Sequence, residues 1–225
     1  MQSTLDGLWG LSHAHAAALA PQCKTLSARR GEVIVRQGSP LPGVMLMSTG
    51  SVKLSLRSAE GDERVLRIAI SGEAFGEPTA MLGKPCLYDA IALTDAKVVV
   101  IPASAILSLI GRDRRFSRFV VLALSARSYT VLSEFSAATT QRGAQRLAGY
   151  LGSLQHKNGS RGPVVQLPVS KTVVAALLGM KKETLSRLFR QFSSEGLIGM
   201  TRREIAILDP KGLAACASSS RAHSA

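Results

Sequence analysis

Residues Pro168–Asp209 read PVSKTVVAALLGMKKETLSRLFRQFSSEGLIGMTRREIAILD, and this stretch decides the fold of the C-terminal third. Ser170 stands where its hydroxyl can accept from exposed backbone N–H groups and begin a helix. Val173, Val174, Leu177 and Leu178 give that helix one apolar side. Leu178–Gly179–Met180 is predicted to turn tightly, with glycine at the bend where a Cβ would be penalised. A second helix is expected from Lys181 to about Ser193. Its Leu185, Leu188, Phe189 and Phe192 recur at helical spacing and face inwards, while Lys182, Glu183, Ser186, Arg187 and Arg190 face solvent. Two short strands within Leu197–Leu208 complete the pattern of a winged helix-turn-helix.

A solvated amphipathic helix with Glu183 and Arg187 paired four residues apart would show the same polar face. The tight turn and the wing favour a DNA reader instead. In that reading Glu183, Ser186 and Arg187 touch bases, because Arg suits guanine O6 and N7 and a carboxylate accepts from cytosine N4. Ser170, Lys171, Lys181, Lys182, Arg190, Arg202 and Arg203 are assigned to phosphates, which set register without reading sequence.

Charge agrees with this assignment. Net charge is +13, and residues 141–225 hold 13 Lys and Arg against 4 Asp and Glu, whereas residues 1–140 hold 15 against 11. A basic C-terminal third suits a polyanion whose counterions are released on binding. No apolar run approaches the roughly 18–20 residues that a membrane crossing needs, and the N-terminus lacks the basic start and apolar core of a secretory signal. Cys23, Cys86 and Cys216 are widely separated, so a disulfide framework is not expected and a reducing cytoplasm is. Three cysteines cannot supply a four-cysteine iron–sulfur cluster. There is no nucleophile elbow, phosphate loop or metal constellation, and the chain is read as a non-enzyme.

The remainder divides by period. Residues 1–21 look helical. From Leu26 to Ile101 short alternating segments such as Val52-Lys53-Leu54-Ser55-Leu56 are separated by turns at Gly38-Ser39-Pro40, Thr49-Gly50 and Ser71-Gly72, the pattern of an antiparallel barrel or sandwich able to enclose a small ligand. After Pro102 the period becomes helical: a short helix over 103–110, then a long one over about 113–138. In the latter, Val121, Leu124, Ser128, Val131 and Phe135 alternate three and four apart, a coiled-coil seam that predicts a homodimer, though a core helix has the same periodicity. The expected organisation is α+β: a sensor domain over 1–112, the dimerisation helix over 113–138 and a DNA-binding domain over 139–225. Residues 139–141 are expected to hinge, and the small, polar tail over 214–225 to be disordered.

The chain resembles the CRP/FNR family of dimeric transcription regulators from Gly31 to Asp209. The resemblance is carried by Arg36-Gln37-Gly38 with Gly50-Ser51-Val52, by Gly72-Glu73-Ala74-Phe75-Gly76-Glu77, and by LLGMKKETLSRLFRQF. It implies an N-terminal cyclic-nucleotide-binding-like β-roll, a dimerisation helix and binding to a promoter palindrome. Glu183-Thr184-Leu185-Ser186-Arg187 resembles the FNR recognition helix, which implies a TTGAT-N4-ATCAA site in double-stranded DNA. Where cyclic-AMP-binding members carry an Arg-Ser pair, this chain has Tyr88-Asp89, so cyclic AMP is not expected; Gly76, Glu77, Tyr88 and Asp89 remain the candidate sensor pocket. The C-terminal segment is similar to the Dnr and NnrR regulators of nitrogen-oxide response, implying a nitric-oxide or redox signal and a possible haem, with His13 or His15 ahead of His156, Cys23, Cys86 and the methionines as ligands. A regulator that needs no ligand, or one controlled by cysteine oxidation, is the alternative. The turn containing Gly61, Asp62 and Glu63 is acidic, and in FNR-like activators such a loop contacts RNA polymerase.

Overall fold

The computed structural model describes Leu5 and residues 11–57, 63–157, 164–201 and 204–218, whose contacts form two compact units, Met1–Thr130 and Val131–Ala225. In the first, the Ser12 hydroxyl accepts from the His15 N–H at 3.3 Å and caps α1 (His13–Leu19). Strands follow as β1 (Lys24–Ala28), β2 (Val33–Val35), β3 (Val44–Thr49), β4 (Ser51–Arg57), β5 (Glu63–Ile70) and β6 (Ala74–Phe75). Then come α2 (Glu77–Leu82), β7 (Asp89–Ala92), β8 (Ala96–Ile101) and α3 (Ala103–Arg112). All strand pairs are antiparallel, in two sheets ordered β1-β8-β3-β6 and β2-β7-β4-β5.

Alternation along β3 and β8 explains why the roll is held from two sides. Met45, Met47, Val98 and Val100 pack with Val52, Leu54, Ala69, Ala90 and Ala92 of the opposite sheet. The intervening Val44, Leu46, Val99 and Ile101 pack with Ala16 and Leu19 of α1, with Ala105 and Ile106 of α3, and with Phe116 and Val120 beyond it. Strand side chains alternate faces, so a strand covered on both sides is apolar throughout rather than every second residue; Val98-Val99-Val100-Ile101 is such a run.

The long helix α4 (Arg114–Thr140) begins at Asp113, whose Oδ1 accepts from the Phe116 N–H at 2.8 Å. That bond, with the neighbouring His15, holds the Asp113 carboxyl below its ordinary pKa. The helix includes Thr139 and Thr140 of the expected hinge, where Thr140 Oγ1 donates back to the Ser136 carbonyl at 2.7 Å, and breaks at the hinge's last residue, Gln141, and at Arg142.

The second unit continues with α5 (Gly143–Lys157), β9 (Val164–Gln166), α6 (Lys171–Leu177), α7 (Lys182–Ser194), β10 (Ile198–Thr201), β11 (Glu204–Ile207) and α8 (Pro210–Ser218). Two expectations are corrected. The wing has three strands, β9 adding to the edge of β11 through Ile205↔Val165. Residues 214–218, expected to be disordered, belong to α8, where Asp209 Oδ1 accepts from the Gly212 N–H at 2.9 Å and Leu213 is buried in the core; residues 219–225 lie outside the described residues.

Tyr150 of α5 puts its hydroxyl in the wall of that core with no hydrogen-bond partner among the described residues, and burial pushes its pKa up to about 12. A buried donor left unmet costs roughly 1–3 kcal/mol. Tyr150→Phe is therefore expected to raise stability by about 1 kcal/mol in urea denaturation of the full chain; a lowered midpoint would show that the hydroxyl is satisfied.

Candidate nucleic-acid interface

The reader is built from α6 and α7. Ser170 Oγ accepts from the Val173 N–H at 3.4 Å, and Val174 and Ala175 turn inwards. Gly179 makes the bend at φ 61°, a left-handed conformation that glycine adopts without steric cost. In α7, Leu185, Leu188, Phe189 and Phe192 are buried, whereas Lys182, Glu183, Arg187 and Arg190 are exposed and Ser186 is half-buried at the edge. Among the described residues no ion pair joins Glu183 to Arg187, so both heads remain available to a ligand. Lys181 is exposed as well, while Lys171 is half-buried with Nζ 5.1 Å from the centre of the Phe189 ring. Lys171 thus does packing work in addition to any phosphate contact. Arg202 and Arg203 lie outside the described residues.

One residue that composition and spacing did not single out ties this reader to the helix before it. Arg146 of α5 donates from Nε to the Leu178 carbonyl at 2.9 Å, at the turn between α6 and α7, and from Nη1 to the Gln141 carbonyl, at the end of α4. A guanidinium offers several donors in a fixed fork and can meet two carbonyls at once.

Along α4 the seam residues lie on the surface. Val121, Val131 and Phe135 are exposed, Phe135 by 68%, and Leu124 and Ser128 are exposed beside them. Phe119, Leu122, Tyr129 and Leu132 are exposed too. An apolar band of this size on a helix is the mark of an interaction surface.

Comparison with known proteins fits this layout. Residues 25–113 match the cyclic nucleotide-binding domain and residues 145–216 the Crp-like helix-turn-helix domain. The transcriptional regulatory protein btr of Bordetella pertussis is 30% identical over 191 residues, 82% of this chain and 77% of its own length. The chain belongs to the CRP/FNR family of transcription regulators. The transcriptional activator protein anr of Pseudomonas aeruginosa is 25% identical over 92% of this chain and 93% of its own. A CRP/FNR-family transcriptional regulator from Thermus thermophilus superposes with TM-score 0.66 at 26% identity, covering 87% of this chain and 99% of that one. FixK2 from Bradyrhizobium japonicum shares the fold, with TM-score 0.77 at 20% identity over 88% and 99% of the two chains.

Within this CRP/FNR frame the candidate sensor residues fall into different roles. Gly76 has φ 83°, and an added Cβ would lie 2.8 Å from Leu41 Cδ1, so the motif there is fixed by backbone and packing. Glu77 is buried at the start of α2. Tyr88 is half-buried, and burial, followed by the charges of Cys86 and Glu77, pushes its phenol well above the ordinary value. Asp89 does not point its carboxylate at an empty site: Oδ1 accepts from the Gln37 N–H at 2.8 Å and ties down the Arg36–Gly38 turn. The cation that Tyr88-Asp89 lacks comes from β5. Arg67 donates to the Ala74 carbonyl and lies 3.5 Å from Glu73, with Arg127 of α4 close enough, after burial, to lower its pKa. Alternation along β5 alone could not have singled it out.

Glu63 is engaged by Lys53 at 2.6 Å; burial raises its pKa, but the bonds from Lys53 and Ser55 and the charge of Arg57 outweigh this and lower it. Gly61 and Asp62 are outside the described residues. His15 Nε2 lies 3.1 Å from Asp113 Oδ2, and Nδ1 is buried without a hydrogen-bond partner among the described residues. His13 is exposed at the start of α1, and the side chain of His156 is outside the described part. No described helix is long and apolar enough to cross a membrane, and no described group of three or more His, Cys, Asp or Glu could hold a metal ion.

The double anchoring by Arg146 has a measurable consequence. Hydrogen bonds to a charged group contribute about 1.5–3 kcal/mol each when buried, and less at the half-buried Arg146, where water can replace part of what is lost. Arg146→Ala is expected to destabilise the full chain by about 2 kcal/mol in chemical denaturation, and an unchanged midpoint would mean that neither carbonyl depends on it.

Proposed function

We propose that two copies of this chain, paired along α4, bind a TTGAT-N4-ATCAA palindrome and regulate transcription there. The supporting observation is the division of α7 into a buried face and an exposed one on which Glu183 and Arg187 stand unpaired with each other. Each recognition helix would enter a major groove, with half-sites about 34 Å apart along the duplex. Glu183, Ser186 and Arg187 read bases, while Ser170, Lys171, Lys181, Lys182, Arg190, Arg202 and Arg203 contact phosphates. The acidic stretch Gly61-Asp62-Glu63 is the proposed contact for RNA polymerase.

The β-roll is the proposed input, for a nitrogen oxide or a change in redox state, a reading supported by the resemblance to nitrogen-oxide regulators. Cysteine chemistry gains no support, since burial raises the pKa of Cys23, Cys86 and Cys216 and keeps each thiol from its reactive thiolate. No step is assigned to haem. A second reading is a regulator that needs no ligand: Glu73 and the Ala74 carbonyl meet Nη1 and Nη2 of Arg67 from within the chain, although its buried Nε has no partner among the described residues. DNA affinity measured with and without nitric oxide under anaerobic conditions separates the two: a change supports the sensor, indifference the ligand-free regulator.

Arg187→Ala should weaken binding to the palindrome by roughly 1–3 kcal/mol and leave affinity for random DNA nearly intact. Lys182→Ala should weaken both alike and reduce the salt slope by about one. Equal losses on palindromic and random DNA for Arg187→Ala would sink the base-reading role. Val131→Glu should split the dimer; an unchanged sedimentation coefficient would remove α4 from the interface.

A further inference from the structure

A cleft of about 290 Å³ separates α1 from α3 on the side of the sheet away from the β-roll interior. Its size sits just under the roughly 300 Å³ at which ligand pockets begin, which restricts an occupant to a small molecule. The floor is apolar, formed by Leu19, Ala105 and Leu109, the first two buried. The α3 wall is polar in a regular way. Ser104, Ser108 and Arg112 follow one another at four-residue intervals and share one face of the helix, each about 6 Å further along the axis.

Arg112 is the charge that matters. Among the described residues it makes no ion pair. The carboxylate beside it in sequence is already taken, since Asp113 accepts from the Phe116 N–H at 2.8 Å and meets His15 Nε2 at 3.1 Å. Nor do the hydroxyls of Ser104 and Ser108 make hydrogen bonds to other described residues. The cleft therefore offers a guanidinium and two free hydroxyls above an apolar floor, with His15 at its edge.

We infer that this cleft binds a small aliphatic carboxylate, its two oxygens on Arg112 and Ser108 and its carbon chain along Leu19, Ala105 and Leu109. A guanidinium pairs with a carboxylate through two parallel hydrogen bonds. A bare phosphate would meet the same cation but leave the apolar floor uncovered. Occupancy is communicated because His15, in the cleft wall, is bonded to the residue that starts α4. Any effect on transcription rests on the DNA-binding reading above; binding itself does not.

The test uses the full chain and butyrate as probe. Isothermal titration should show saturable binding at one site per chain. Arg112→Gln should weaken it about tenfold or more, as should Ser108→Leu, which narrows the cleft at an exposed position. The imidazole signals of His15 in NMR should shift with the same saturation. Inorganic phosphate should give no saturable heat. Absence of butyrate binding, or affinity in both variants unchanged from the unsubstituted chain, overturns the site; phosphate binding more tightly than butyrate overturns the assignment to a carboxylate. Palindrome affinity measured without butyrate reports separately on the DNA-binding reading, so the two failures are distinguishable.

Discussion

Leu185, Leu188, Phe189 and Phe192 lie on one side of a 13-residue helix, and burying all four leaves α7 a single rotational setting. Burial of a large apolar side chain contributes about 1.5–3 kcal/mol. Turning the helix by one residue would swing Arg187 or Glu183 towards the core, where an unpaired charge costs several kcal/mol. Both effects point the same way, so the exposed set is a consequence of the buried one. Arg146 then fixes the helix pair relative to the end of α4 by holding the Gln141 and Leu178 carbonyls.

In α4 the same reasoning gives the opposite outcome. Phe116 and Val120 are buried in the first unit, but further along Val121, Leu122, Val131, Leu132 and Phe135 are exposed among the described residues. A 27-residue helix with few charges on that band has no internal reason to leave it exposed. Spacings of three and four along Val121, Leu124, Ser128, Val131 and Phe135 suit a second helix of the same kind. The proposed dimer would cover what a monomer has to solvate.

The elements legible in the sequence are those in which two signals coincide. The reader combines a serine cap, a glycine bend and an apolar stripe, and its faces fall where those signals put them. Strand β9 has only three residues and no alternation long enough to detect; it exists because β11 offers an edge. Helix α8 carried a start signal, Asp209 followed by Pro210, which the run of alanines and serines after it obscured. Arg67 was invisible for another reason. Its place depends on the turn between β5 and β6 bringing Ala74 and Glu73 to it, a matter of tertiary geometry rather than pattern.

The first unit acts on α4 from two sides of one sheet. On the side of α1 and α3, Asp113 caps α4 with one oxygen and holds His15 with the other, so a shift of α1 loads the first turn of the long helix. On the β-roll side, Arg127 of α4 and Arg67 of β5 are like charges near enough to lower the pKa of Arg67, with Glu73 and Glu77 opposing. Strand β3 contributes side chains to both cores. Because packed interiors resist small displacements and transmit them, a change on either side is felt where α4 begins. The helix is thus the element on which the proposed inputs to the roll and to the cleft would converge, and it leads directly into the unit that carries Arg187.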